Sequence, residues 1–314
     1  MLLNWQEEYP PEADQLTIVE LKLFRPTAAK SIRAWILAPA KLLGTELKKI
    51  TNSVLRINPQ SVIRNNQFYS AGVRHHLIDV ATPKQIFSVA QFQKLAQRTI
   101  KDILKRSKLP IIVGGTGQYI DTLIYDLALP EVPPNYKLRA QFGKLTVEQL
   151  FEKLKKLDPE RAWNIDRHNP RRLIRALEII AFTDKPVPVI ELGSMNQELG
   201  KYKTLWIGIN PKEKDLRQRI KKRLDKRFKQ GLIAEVKKLK KSGVSWKRLY
   251  DFGLEYRWIS LYLQNKITLQ EMKENLYRAI RQYSKRQMTW FKRNKKIHWL
   301  KNVKDADKLT KAFV

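Results

Sequence analysis

Two short stretches of this 314-residue sequence carry the right residue types for phosphate chemistry. In Leu109-Pro110-Ile111-Ile112-Val113-Gly114-Gly115-Thr116-Gly117 an apolar run opens through three glycines placed around a threonine. Where a buried strand turns into a helix, glycines let backbone amides approach a phosphate, and the helix N-terminus adds partial positive charge. The Thr116 hydroxyl could then donate to a phosphate oxygen or a bound substrate. A tight turn with purely steric needs would use the same glycines. The second stretch, Arg25-Pro26-Thr27-Ala28-Ala29-Lys30-Ser31, has the Lys-Ser ending of a phosphate-binding loop, where lysine reaches terminal phosphates and the hydroxyl holds magnesium. It has Arg25 and Ala29 where such a loop needs glycine, and it is one residue short. On its own it reads as an ordinary basic turn.

His75-His76-Leu77-Ile78-Asp79 is a third candidate. Adjacent histidines point to opposite sides of a strand and chelate poorly, so a structural or substrate-lining role is expected rather than a metal site. The chain has no cysteine, which excludes disulfide scaffolds, thiolate zinc and cysteine nucleophiles, and it has only four histidines. Any metal would be held by oxygen.

Positioning these residues requires an α/β core. Residues 17–24 read as a strand, and residues 32–43, beyond the basic loop, as helix-like. Val89, Phe92, Leu95, Ile100 and Leu104 repeat at helical spacing, and residues 109–113 then read as a strand buried on both faces. Alternating helix and buried strand predicts a parallel sheet covered by helices. The prolines at 130, 133 and 134 mark a joint. Beyond it, Thr146 with Gln149 resembles a capping box, and Asn169 with Pro170 starts a helix running to about Phe182. Leu205 to Ile209 reads as one more core strand, and Leu216, Ile220, Leu224, Phe228, Leu232 and Val236 mark a single long amphipathic helix. The expected division is an N-terminal core at 15–129, a helical insertion at 130–200, and a last core strand with basic helices at 201–314. No internal repeat or low-complexity tract is visible.

The formal charge is +32, and residues 201–314 hold 33 Lys/Arg against 10 Asp/Glu. Self-repulsion on that scale costs stability unless a polyanion relieves it, which points to nucleic acid. A lysine-rich proteome is the other source of such charge, but it usually brings matching glutamate. Within residues 277–293, Ile280, Tyr283 and Trp290 continue an apolar stripe from Leu276, while Arg278, Arg281, Lys285 and Lys292 share another face as a ladder of phosphate contacts. Arg286, Gln287 and Thr289 add hydrogen-bond donors, and no acidic residue interrupts the run. Arg171, Arg172 and Arg175 form a second cluster at a helix start. The first ten residues include Glu7 and Glu8, and no run of about 18 apolar residues follows, so an intracellular protein without a membrane span is expected.

From His75 onward the chain resembles the tRNA dimethylallyltransferases. The resemblance rests on His75 to Asp79, Phe87-Ser88-Val89-Ala90-Gln91-Phe92, Leu109 to Tyr119, Arg171-Arg172-Leu173-Ile174-Arg175-Ala176-Leu177-Glu178 and Lys285-Arg286-Gln287-Met288-Thr289-Trp290-Phe291, all in order. It implies a P-loop NTPase-like parallel sheet with a helical insertion and a basic helical C-terminal part. It also implies a cytoplasmic, monomeric enzyme that moves a dimethylallyl group from dimethylallyl diphosphate to the exocyclic amine of the adenosine 3′ to the anticodon. By this resemblance Thr116 and Arg139 lie near the substrate adenosine. Thr27, Lys30 and Ser31 would hold the diphosphate, with Ser31 on Mg²⁺. The tRNA anticodon stem-loop would meet Arg171, Arg172, Leu173, Ile174, Arg175, Gly253, Tyr256, Arg257, Lys285, Arg286, Gln287, Thr289 and Lys292.

The N-terminal part, before His75, departs from the family. Its loop reads Gly-Pro-Thr-Ala-Ser-Gly-Lys-Ser or Thr, and a later Ser-Ala-Asp-Ser supplies an aspartate as general base. Here no Asp or Glu occurs between Glu46 and Asp79. A slip of reading frame is one account, since codons for Val54-Leu55-Arg56-Ile57 read two nucleotides later can spell Ser-Ala-Asp. Two rival readings stay open: a catalytically inactive tRNA-binding relative, and a nucleotide kinase or adenylate prenyltransferase with a small acceptor.

Overall fold

The computed structural model describes residues 73–78, 80–188, 202–300 and 306–313, with strand backbone at 15–19, 35–37, 62–64 and 67–70. The chain forms two compact units, Leu127–Leu199 and the remainder. In the larger unit the strands are β1 (Gln15–Val19), β2 (Trp35–Leu37), β3 (Val62–Arg64), β4 (Gln67–Ser70), β5 (Val73–His75), β6 (Ile111–Val113), β7 (Lys203–Ile209) and β8 (Ile297–Leu300). They form one sheet in the order β3-β4-β5-β2-β6-β1-β7-β8. The half β6-β1-β7-β8 is parallel, with Thr17 opposite both Ile111 and Leu205.

The half β3-β4-β5-β2 is antiparallel, and so is the β2–β6 pair. The spacing explains two of these pairs: Arg64 faces Gln67 and Ser70 faces Val73, and strands only two residues apart can pair in no other direction. Within the segment 32–43, where helix was expected, Trp35–Leu37 is a strand. An aromatic and a β-branched residue suit the pleat, and pairing of Trp35 with Val113 and Leu37 with Ile111 outweighs the local helical pattern.

β6 is buried along its whole length. Against it packs α1 (Val89–Lys105), opened by a capping box of Ser88 with Gln91 and burying Phe92, Ala96, Ile100, Ile103 and Leu104 at successive turns. α2 (Gly117–Ile124) follows β6 directly, and its Ile120 and Leu123 enter the same core as Trp206 of β7. Each such side chain contributes about 1.5–3 kcal/mol of burial, so the turn between β6 and α2 is held at both ends.

The smaller unit contains α3 (Tyr136–Phe142), α4 (Val147–Leu157), α5 (Pro159–Asn164) and α6 (Pro170–Thr183). Each start is capped by a side chain, from Asn135, Thr146, Asp158 and Asn169, and proline opens α5 and α6. Leu150 and Leu154 of α4 pack on Leu173, Ala176 and Leu177 of α6.

Returning to the larger unit, α7 (Glu213–Lys229) and α8 (Leu232–Lys241) replace the single long helix expected there. Gly231 sits at φ +86 between them, a left-handed conformation that ends one helix and starts the next without a Cβ penalty. α9 (Trp246–Phe252), α10 (Leu254–Leu263), α11 (Leu269–Phe291) and α12 (Ala306–Phe313) complete the described chain. Among the described residues no helix is long and apolar enough to cross a membrane.

Candidate functional site

The Gly-Gly-Thr-Gly turn leaves the carboxyl end of β6, beside the carboxyl end of its parallel neighbour β1. In open α/β sheets this edge is where ligands bind. Thr116 is the N-cap of α2 with extended backbone, is exposed, and makes no side-chain cap bond to its helix. Its carbonyl accepts from the Tyr119 and Ile120 amides at 3.0 and 3.3 Å. Thr27, Lys30 and Ser31, expected on the diphosphate, lie outside the described residues.

α11 packs on this turn. Its Gln287 Nε2 donates to the Gly115 carbonyl at 2.6 Å. The Trp290 ring fills the space at Gly117, where an added Cβ would come within 2.0 Å of indole Cδ1. Gly117 is therefore required by the tryptophan, whatever a phosphate asks of it. Trp290 Nε1 donates to Asp121 Oδ2 at 2.7 Å. Asp121 is 2% exposed, and burial pushes its carboxyl up to about 6, against smaller opposing effects of that hydrogen bond and of Arg293. The opposite face of the same two turns exposes Lys285, Arg286, Thr289 and Lys292. Arg281, one turn earlier, pairs with Glu213 at 3.5 Å. Gln287, expected among the outward donors, is instead 5% exposed and turned into the protein, because the helical period puts it one turn from Ser284 and Phe291, both buried.

Gly253, Tyr256 and Arg257 sit at the α9–α10 junction. Gly253, at φ 75, is the N-cap of α10. Tyr256, expected on tRNA, is instead buried with its hydroxyl donating to Glu235 Oε1 at 2.5 Å, so the ring is core. Arg257 lies over the Tyr250 ring at 4.5 Å, with Nε on the Tyr250 carbonyl at 3.2 Å.

In the smaller unit Arg139 meets Glu178 through Nε and Nη2, each at 2.8 Å. Arg175 donates to the same carboxylate at 2.5 Å and to the Val132 carbonyl at 2.9 Å. Burial opposes the charge on Glu178, but bonds from Arg139, Arg175 and the Asn135 amide outweigh it and hold the carboxyl below its ordinary range. Arg171 and Arg172 are exposed, Ile174 is half-buried, and Leu173 is wholly buried in the unit's core, so its side chain is no surface contact. Thr116 and Arg139 belong to different units.

His75 ends β5 and is buried, its Nδ1 3.0 Å from the Val73 carbonyl. Burial, then the charges of Arg74 and Arg106, push His76 down to about 4, so it is neutral near pH 7. Among the described residues no cluster of three or more His, Asp or Glu is arranged to hold a metal.

Sequence reasoning missed Gln287 as a tie to Gly115, Asp121 as the partner of Trp290, and Glu178 as the clamp on two arginines. Glu178 alone had a local signal, its spacing of three from Arg175 on one helix face.

Residues 64–294 match a family described as IPP transferase. A tRNA dimethylallyltransferase of Acetivibrio thermocellus is 34% identical over 91% of this chain and 93% of that protein. One of Anoxybacillus flavithermus is 36% identical over 90% of each. Among solved structures, a full-length tRNA isopentenylpyrophosphate transferase from Bacillus halodurans superposes with a TM-score of 0.53 at 33% identity, covering 77% of this chain and 78% of that one. A eukaryotic dimethylallyltransferase acting on tRNA shares the fold with a TM-score of 0.57 at 24% identity, over 73% of this chain and 60% of that one.

Proposed function

The chain belongs to the IPP transferase family, and on that premise we propose that it is a cytoplasmic tRNA dimethylallyltransferase. The acceptor is the exocyclic amine of the adenosine 3′ to the anticodon, and the donor is dimethylallyl diphosphate. The observation that carries the reading is the exposed residue Thr116, its side chain free of any cap bond, on a turn clamped by the helix whose outer face is Lys285, Arg286, Thr289 and Lys292. A polyanion docked on that face would bring a flipped-out base within reach of a fixed hydroxyl.

In this reaction the amine nitrogen forms a bond to the allylic carbon while the carbon–oxygen bond to diphosphate breaks, and the amine proton passes to a base. Thr116 would hydrogen-bond the amine and orient it. Arg171 and Arg172, with Lys285, Arg286 and Lys292, would hold the tRNA backbone. By the family resemblance Arg139, here tied to Glu178, would lie near the adenosine. By the same resemblance a divalent cation with the diphosphate would fall to the loop of Lys30 and Ser31, which lies outside the described residues. That loop lacks both glycines, and no step is derived through the ion.

A second reading, a tRNA-binding relative without chemistry, is favoured by the absence of Asp and Glu between Glu46 and Asp79 together with those missing glycines. One assay separates the two: transfer from radiolabelled dimethylallyl diphosphate to unmodified tRNA, with this chain beside a version restored to the family's loop and aspartate. A positioned base is worth about a hundredfold to ten-thousandfold, and a phosphate cradle adds to that. Transfer by the restored version alone establishes the second reading for the chain as it stands. Comparable transfer by both establishes the first, and tRNA binding by neither overturns both.

A further inference from the structure

Thr116 is flanked on each side by a residue that α11 holds. Gly115 is held through its carbonyl by Gln287, and Gly117 lies under the Trp290 ring. The Thr116 side chain makes no cap bond and the residue stays exposed, so its place is set by its backbone and its neighbours rather than by its own side chain. Gln287 is buried, and nothing hydrogen-bonds its Oε1, so its one amide bond to Gly115 is what it offers the turn. A helix holding an active turn on one face and basic residues on the other fixes the distance between the two.

We propose that Gln287 is a positioning residue. It ties the Gly-Gly-Thr-Gly turn to the tRNA-docking helix so that Thr116 is held in register with the docked acceptor, while making no contact with tRNA itself. The registration half of this rests on the tRNA reading above; the tie to the turn does not. A displacement of about 1 Å in a positioning group can cost a hundredfold in rate, so the tie has a function beyond stability.

The test is amide exchange of Tyr119 and Ile120, which donate to the Thr116 carbonyl, in the full-length protein. Gln287→Met keeps the side chain's length and removes the donor. Exchange at these two amides should quicken at least tenfold in the free protein, while the melting temperature and the affinity for unmodified tRNA change by less than a few degrees and threefold. Trp290→Phe, which keeps the ring over Gly117 and loses the bond to Asp121, should quicken them less. Gln287→Glu, able to donate only when protonated, should restore slow exchange at pH 5 and lose it at pH 8, after correction for intrinsic rates. Unchanged exchange in a folded Gln287→Met protein overturns the proposal. So does a tenfold loss of tRNA affinity with a quiet turn, which would make Gln287 a direct contact. If the unsubstituted chain binds no tRNA, the tRNA reading and the registration half fall together, and exchange in the free protein still decides the tie.

Discussion

Arg175 of α6 and the cations of α11 put similar residues to opposite uses. On α6, Arg175 turns inward and shares the buried Glu178 with Arg139. Its guanidinium is occupied in holding α3, α6 and the Val132 segment together. On α11, Lys285, Arg286 and Lys292 point outward, and the interior is met instead by Gln287 and Trp290. Positive charge in a basic protein is therefore not one pool. Arg175 answers a buried carboxylate and is structural, while on the proposed reading the exposed α11 cations opposite Gln287 would meet a polyanion.

The largest consequence is for Glu178. Removing one member of a buried ion network costs about 3–5 kcal/mol, but Arg139 and Arg175 are 39% and 36% exposed and can be rehydrated. Glu178→Ala should thus lower stability by roughly 2–3 kcal/mol, read from urea unfolding, and change tRNA affinity mainly through the unfolded fraction. A stable Glu178→Ala protein would erase the contrast between the clusters.

What could be read in advance follows the same line. Local signals were strong: Thr146 with Gln149, Asn169 with Pro170, and the buried run at Ile111 to Val113 all mark real boundaries. Of the four cations expected on one face of α11, Arg278, Lys285 and Lys292 are exposed, while Arg281 is half-buried against Glu213. Trp35 to Leu37 was misread because a three-residue strand is decided by β6, a partner far away in sequence. The break at Gly231 was missed because apolar spacing continues across it. Gln287 and Asp121 were out of reach for a plainer reason: each acts on a residue about 170 positions away, and no periodicity encodes such a contact.

A smaller effect is expected on the inward side of α11. Asp121 has its carboxyl raised from 3.8 to about 6, chiefly by burial. A raised folded value means the folded protein binds the extra proton, so stability falls as pH rises from about 4 to 6 and stays lowered above that. Asp121→Asn removes the charge and keeps an oxygen for Trp290 Nε1. It should be more stable than the parent by roughly 2 kcal/mol at pH 8, with the gap closing below pH 4. Parallel pH profiles of melting temperature for the two proteins would show that Asp121 does not carry this penalty.

The smallest effect bears most directly on the comparison. Each phosphate neutralised by a lysine or arginine releases counterions, and log affinity falls with log salt by about 0.7–0.9 for every contact. Lys285→Ala with Arg286→Ala removes two exposed cations from α11, so the slope should flatten by about 1.5, with tRNA bound roughly tenfold more weakly at low salt. The difference should shrink as salt rises, because only the ionic part of the interface has been removed. Arg175→Ala is the control that gives the result its meaning. Its guanidinium already answers Glu178, so this change should lower the melting temperature and leave the slope within about 0.3 of the parent. A flattened slope for Arg175→Ala, or an unchanged one for the α11 pair, would show that the two clusters serve tRNA alike and that pairing with a buried carboxylate does not sort structural cations from binding ones here.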